Sequence, residues 1–163
     1  GVNLPHVFTV SDILTSSTNA SGRCVILDET GYTPGVKTAD VLSQLGHEVE
    51  IVTRQYALGE DIGTTVRAVL HERLLRAGVY ITTLYTPVEI TTYGVRLMHV
   101  LTDEERLIQA DTVVLSSSGV GRDTLYNELA EAKNYELHLI GDAFAPRHLR
   151  HAMVDGARTG RIL

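Results

Sequence analysis

The chain has one cysteine, two methionines, four prolines and no tryptophan among its 163 residues. A single cysteine excludes an intrachain disulfide and any metal site built on cysteine, and its rarity suits a reducing compartment. Cys24 lies in an apolar run, where a free thiol serves as a small buried hydrophobe. No apolar stretch approaches the roughly 18 residues of a membrane span. The opening residues Gly1-Val2-Asn3-Leu4-Pro5 lack the basic region and apolar core of a secretory signal. A cytoplasmic location is therefore expected, with no membrane partner. Asn19-Ala20-Ser21 matches a glycosylation sequon by pattern, but no secretion signal accompanies it. Positive charge is also in deficit: 14 basic residues face 20 acidic ones, for a net charge of −6. That balance argues against nucleic acid as a partner. A glycine-rich P-loop with its lysine is missing, and so is a G-x-S-x-G elbow around Ser116-Ser117-Ser118.

What remains is ordinary globular material, 44% hydrophobic and 21% charged, enough for one domain or slightly more. Charge is unevenly spread. From Ala143 onward Asp155 is the sole acid against Arg147, Arg150, Arg158 and Arg161, a net +3 that leaves −9 for the rest. The terminal helix is either a docking surface for an anionic partner or a solvated face.

A short helix is expected at Asp12-Ile13-Leu14 with Ser11 as its cap, then a polar linker over residues 15–22. Cys24-Val25-Ile26-Leu27 is a continuous apolar run, as in a strand covered on both faces. The breaker-rich turn Thr30-Gly31-Tyr32-Thr33-Pro34-Gly35 follows. Val36, Ala39, Leu42 and Leu45 then recur at helical spacing up to Gly46, before a strand at Glu48–Thr53. This is a βαβ unit with a right-handed crossover. A second helix is predicted over Ile62–Ala77, burying Ile62, Val66, Val69, Leu70 and Leu74, with Gly78 as its stop. Val79–Leu84, Val88–Thr92, Val95–Leu101 and Arg106–Gln109 read as an antiparallel meander. A strand at Thr112–Leu115, a helix at Thr124–Lys133, a strand at Glu136–Ile140 and a final helix from Pro146 complete the chain. The fold class is α/β: a Rossmann-like parallel sheet with an antiparallel meander over one face.

The first turn is where a dinucleotide fold places G-x-G-x-x-G. Here Thr30, Tyr32 and Gly35 stand at the three glycine positions. Only the third, Gly35, is a glycine; with Gly31 it stays a cofactor-binding candidate, but Tyr32 puts a side chain where pyrophosphate needs bare backbone. At the end of the second strand, Thr53-Arg54 replaces the acid that NAD requires; Arg54 either receives a 2′-phosphate, which selects NADP, or is an exposed loop residue. Gly141-Asp142 stands between a strand and a helix, where Asp142 either bonds sugar hydroxyls or caps the helix. The turn ending in Gly119 faces a phosphate or ribose, or is plain loop. His148 and His151, three apart, lack the acids or cysteines of a metal site, and none is expected.

Three segments together resemble one family: Cys24-Val25-Ile26-Leu27-Asp28 with Gly46-His47-Glu48-Val49, then Ala110-Asp111-Thr112-Val113-Val114-Leu115, then His138-Leu139-Ile140-Gly141-Asp142-Ala143-Phe144-Ala145-Pro146-Arg147. The set is similar to the carboxyl-terminal part of the trimethylamine dehydrogenase and 2,4-dienoyl-CoA reductase family of NADH:flavin oxidoreductases. The resemblance implies a glutathione-reductase-like NAD(P) domain over 23–135, after an amino-terminal segment and linker at 1–22. Residues 136–163 would be the returning end of an FAD- or ADP-type domain, with Asp142 facing its nucleotide. It also implies a parent enzyme with FMN and a four-iron cluster. The barrel and the other nucleotide-binding half are not in these residues, so no catalytic residue is expected here. NADP, ADP and FAD are the candidate ligands; the rest of the parent flavoenzyme, or a second copy of the chain, is the candidate partner. An autonomous NADP-binding reductase domain and a purely structural domain are the competing readings.

Overall fold

The computed structural model describes residues 1–15, 20–132 and 136–162. The chain divides into two compact units, Gly1–Ser117 and Ser118–Leu163. The expected linker and the sequon fall partly on residues 16–19, outside the described residues. Among those described, no helix is long and apolar enough to cross a membrane.

The first unit holds β1 (Val7–Thr9), α1 (Val10–Leu14), β2 (Arg23–Asp28), α2 (Thr33–Gln44), β3 (Glu48–Thr53), α3 (Thr64–Arg76), β4 (Tyr80–Thr83), β5 (Tyr85–Thr91), β6 (Gly94–His99), β7 (Glu105–Gln109) and β8 (Thr112–Ser116). Five strands form a parallel sheet in the order β1-β8-β2-β3-β4, and β5-β6-β7 form an antiparallel sheet. The parallel pair expected between β2 and β3 is present, with Arg23 opposite Glu48 and Asp28 opposite Thr53. Both faces of β2 are buried. Cys24 and Ile26 join the core beneath the helices with Val36, Ala39, Leu42, Val49 and Ile51. Val25 and Leu27 join a second core, with Val52, Ile90, Val95, Leu97 and Ile108, beneath the antiparallel sheet. The period-2 alternation of side chains thus feeds two cores from one apolar run. Burial pushes the Cys24 thiol up to about 11, consistent with an inert packing residue.

Several boundaries differ from the sequence reading. Val7–Thr9 forms a strand that the sequence did not announce, because three residues are too few to show a period. The cap of α1 is Thr9 rather than Ser11: its hydroxyl accepts from Asp12 N–H while the Asp12 carboxyl takes Thr9 N–H, a capping box. Helix α3 buries Leu74 fully and Leu70 in part, but Val66 and Val69 are exposed, and Ile62 is buried before the helix begins. Leu45 follows the end of α2 and is exposed. Residues 80–83 join the parallel sheet as β4, leaving a three-stranded meander. Pro87 lies within β5, an edge strand, beside a register shift between Pro87 and Glu89; an edge tolerates a residue without an N–H donor.

One carboxylate interrupts the second core. Glu50 on β3 is 2% exposed. Arg23 Nη2 donates to its Oε2 at 2.8 Å, Thr82 Oγ1 donates to its Oε1 at 2.6 Å, and Arg106 Nη2 lies 3.6 Å from Oε1. Arg23 comes from β2, Thr82 from β4 and Arg106 from β7, so one buried acid ties three strands of two sheets. A buried charge is tolerated only when paired and hydrogen-bonded, as this one is.

The second unit holds α4 (Thr124–Ala132), a single 3-10 turn at Gly141–Ala143, and α5 (Leu149–Thr159). The strand expected at 136–140 is absent: those residues are irregular. A strand needs a ladder partner for its amides and carbonyls, and no described strand lies in this unit. The final helix begins at Leu149 with His148 as its cap residue, three residues later than Pro146 suggested. Along its small-residue side, Ala152 packs on Gly141, while Gly156 has open space around it.

Two stability predictions follow from these environments. Glu50→Ala leaves Arg23 without its buried partner. It should lower unfolding free energy by about 3 kcal/mol, the low end for a broken buried pair because both arginines are partly exposed; urea denaturation measures it. Gly156→Ala meets no atom and removes a helix-interior glycine, so it should raise stability by about 1 kcal/mol in the same assay.

Candidate nucleotide site

The strand order reverses between β2 and β8, so the carboxyl ends of these strands mark the switch point at which open α/β sheets bind ligands. Asp28 closes β2 and Ser116 closes β8, in register with each other. Asp28 is 2% exposed. Its Oδ1 accepts from Thr30 N–H at 3.2 Å, from Thr30 Oγ1 at 2.8 Å and from Ser116 Oγ at 3.1 Å. Its Oδ2 is buried with no donor. Burial raises the Asp28 carboxyl above the ordinary carboxylate range, and the bonds from Thr30, Ser116 and the Gly31 backbone oppose that only in part.

Gly31 takes the left-handed conformation with φ 64°, which a side chain would strain. Against it lies the Gln55 side-chain amide, with which a Cβ on Gly31 would collide. Gly35, in the first turn of α2, has Ser116 Oγ and Asp28 Oδ1 at 2.9 and 3.1 Å from where a Cβ would be, so only glycine lets helix and strands approach this closely. Tyr32 is half-buried and packs on the core beneath the helices; its N–H donates to Thr30 Oγ1 at 3.3 Å. Thr53 is buried, and its hydroxyl accepts from Gln55 N–H at 3.3 Å. Arg54 is exposed at the end of β3. Gly31, Tyr32, Gly35, Thr53 and Arg54 therefore gather at the carboxyl ends of β2 and β3.

In the second unit, Gly119, Val120, Arg122, Asp142, Ala143 and Pro146 line an open hollow of about 330 Å³. Asp142 is exposed and lies within the 3-10 turn, so it does not cap α5; its Oδ1 accepts from Arg147 N–H at 3.3 Å. Gly141 is buried, and its N–H donates to Asp155 Oδ2, which also accepts from Arg147 Nη2 at 2.6 Å. A Cβ on Gly121 would fall 2.6 Å from Ala143 O, so the 119–122 loop lies directly on the Gly141–Ala143 turn.

Sequence reasoning missed Asp28, Gln55 and Arg122 as site residues, and read Ser116 only as part of a phosphate- or ribose-facing turn or a plain loop. An acid that ends an otherwise apolar, doubly covered strand was the available signal for Asp28. Gln55 carried none, because its importance comes from a tertiary contact. His148 and His151 stack, with ring centroids 5.7 Å apart, and among the described residues no grouping of three or more His, Cys, Asp or Glu could hold a metal ion.

Because the folded state holds the Asp28 proton more tightly than the unfolded chain, whose carboxyl has the ordinary 3.8, the native state binds more protons as pH rises above that value. Asp28 therefore costs stability progressively from about pH 4 upward, until its folded-state value is passed. Asp28→Asn keeps the Oδ1 acceptor without the ionisation. Its stability should fall less with rising pH than that of the unaltered chain, with urea midpoints across a pH series as the readout.

Residues 30–141 match the family model described as pyridine nucleotide-disulphide oxidoreductase. The chain is 28% identical to a bilirubin reductase of Mediterraneibacter gnavus over 87% of its own length and 21% of the relative's. Among solved structures it superposes on histamine dehydrogenase from Rhizobium sp. 4-9 with a TM-score of 0.87 and 28% identity, covering 96% of this chain and 26% of the other. For the 6-hydroxypseudooxynicotine amine oxidase of Pseudomonas geniculata N1 the values are 0.89 and 27%, over 98% and 25%. The chain thus spans about a quarter of the length of the proteins it matches. The match over 30–141 shows that the chain belongs to the pyridine nucleotide-disulphide oxidoreductase family, and it is similar to about a quarter of the length of enzymes of the trimethylamine dehydrogenase and 2,4-dienoyl-CoA reductase group.

Proposed function

We propose that the chain serves a flavin-dependent oxidoreductase as a nucleotide-binding-like module and carries out no redox step itself. The hollow beside Asp142 carries this reading. Asp142 offers a solvent-facing carboxylate suited to ribose or ribitol hydroxyls, and Arg122 brings the one positive charge of that lining, suited to a phosphate. Gly119 and Pro146 lie against each other in the same lining. These residues fit the adenosine-diphosphate portion of ADP or FAD, whose bound flavin would supply the redox chemistry. The chain's own part is to hold and orient it. In this reading residues 23–135 correspond to the NAD(P)-type domain and 136–163 to the returning end of the FAD- or ADP-type domain. The remainder of a cytoplasmic flavoenzyme, bearing FMN and a four-iron cluster, is the partner.

Calorimetric titration of ADP and FAD tests the proposal. Saturable binding is expected, and Asp142→Ala should weaken it about tenfold, the loss of roughly one charge-assisted hydrogen bond. Equal affinity in Asp142→Ala would remove the aspartate from the site. Saturable NADPH binding that weakens in Arg54→Ala would favour an autonomous NADP-binding domain instead.

A further inference from the structure

In a dinucleotide fold the first turn and the start of the following helix turn their donors outward to a pyrophosphate. Here the donors of that turn point inward. Thr30 N–H, the Thr30 hydroxyl and the Ser116 hydroxyl all converge on Asp28 Oδ1, and Tyr32 N–H, at the second position of the motif, donates to Thr30 Oγ1. Asp28 Oδ2 adds a second buried acceptor with no donor, at a place where a pyrophosphate would bring only more acceptors.

The outer side is covered as well. Leaving β3, the chain runs over the turn through residues 55–62. The Gln55 amide lies on Gly31, and Asp61 N–H donates to Gly31 O at 3.0 Å. Leu58 at the centre of this segment is fully buried, and its carbonyl is held by His71 Nε2 at 2.8 Å. The segment is therefore anchored into the core rather than laid on the surface.

We infer that the first turn is closed to dinucleotides by the chain itself: Asp28 supplies the acceptor that a phosphate would otherwise provide, and Gln55 covers the backbone a phosphate would approach. Tyr32 is then a lesser obstacle, since its ring packs on the helix-side core. This inference rests on the reading of the chain as a nucleotide-binding-like module and assigns its ligand to the Asp142 hollow alone.

Amide NMR of the labelled chain, titrated with inorganic pyrophosphate and with NADPH, provides the test. In the unaltered chain the amides of Thr30, Gly31 and Tyr32 should not move at millimolar ligand. Asp28→Ala/Gln55→Gly removes the acceptor on which the turn's donors converge and uncovers Gly31. Those amides should then shift on adding pyrophosphate, with affinity gained at least about tenfold. Should the double variant fail to fold, Gln55→Gly alone, at a half-buried loop position, is read by the same shifts. Titration of these amides in the unaltered chain overturns the inference, and so does a well-dispersed variant spectrum that gains nothing. Signals of Arg122 and Asp142 on adding ADP report separately on the other site, so failure of one reading is distinguishable from failure of the other.

Discussion

Everything in the first unit depends on a sheet whose central strands are dry on both faces. Strands β2 and β8 expose almost nothing, so each needs a cover of helices on one side and of the antiparallel sheet on the other. Burying a Val, Leu or Ile side chain is worth roughly 1.5–3 kcal/mol. The apolar runs at 24–27 and 113–114 therefore fix the layer order before any polar contact is considered. The carboxyl ends of the same strands inherit that dryness. A polar group placed there must be satisfied from within, and Asp28 gathers Thr30 and Ser116 for that reason.

The same principle separates the two ends of the sheet. Glu50 lies deep on the meander side and reaches two arginines, so its charge is balanced. Asp28 has no cation near it in its bonding network, only hydroxyls and the backbone amides of Thr30 and Gly31, and burial raises its carboxyl accordingly. One buried acid is structural glue between layers. The other sets the character of the turn that a nucleotide would visit. The Arg96 pairs with Glu89 and Glu105, by contrast, lie in solvent, where screening leaves them little to contribute.

Much of this architecture was legible in the sequence, and the reasons are specific. Long apolar runs such as Cys24–Leu27 and a helical stripe such as Val36, Ala39 and Leu42 carry their own period, so β2, α2, β3 and the meander could be read directly. Strand β1 could not, since three residues hold no period. Residues 136–140 misled because a strand-like composition has no consequence without a neighbouring edge. Helix α3 misled because its periodic valines, Val66 and Val69, face outward. Of the candidate site, Gly35 and Asp142 were legible from turn chemistry. Asp28 and Gln55 gain their roles from contacts with Ser116, 88 residues away, and with Gly31, 24 residues away, which no local pattern records.

The insertion of β8 between β1 and β2 bears on how the chain acquires its shape during synthesis. Both neighbours of β8 precede it in the chain, yet the strand that joins them is separated from β2 by most of the unit, pairing Cys24 with Thr112. Until residue 116 has left the ribosome, β1 and β2 have no ladder between them, and the apolar edge of β2 stands open. Pairings of such large sequence separation close slowly, because the entropy of the loop is lost before the contact compensates for it. The edge of β2 that meets β8 thus stays unpaired within this unit while all the residues from β3 to β7 are being made.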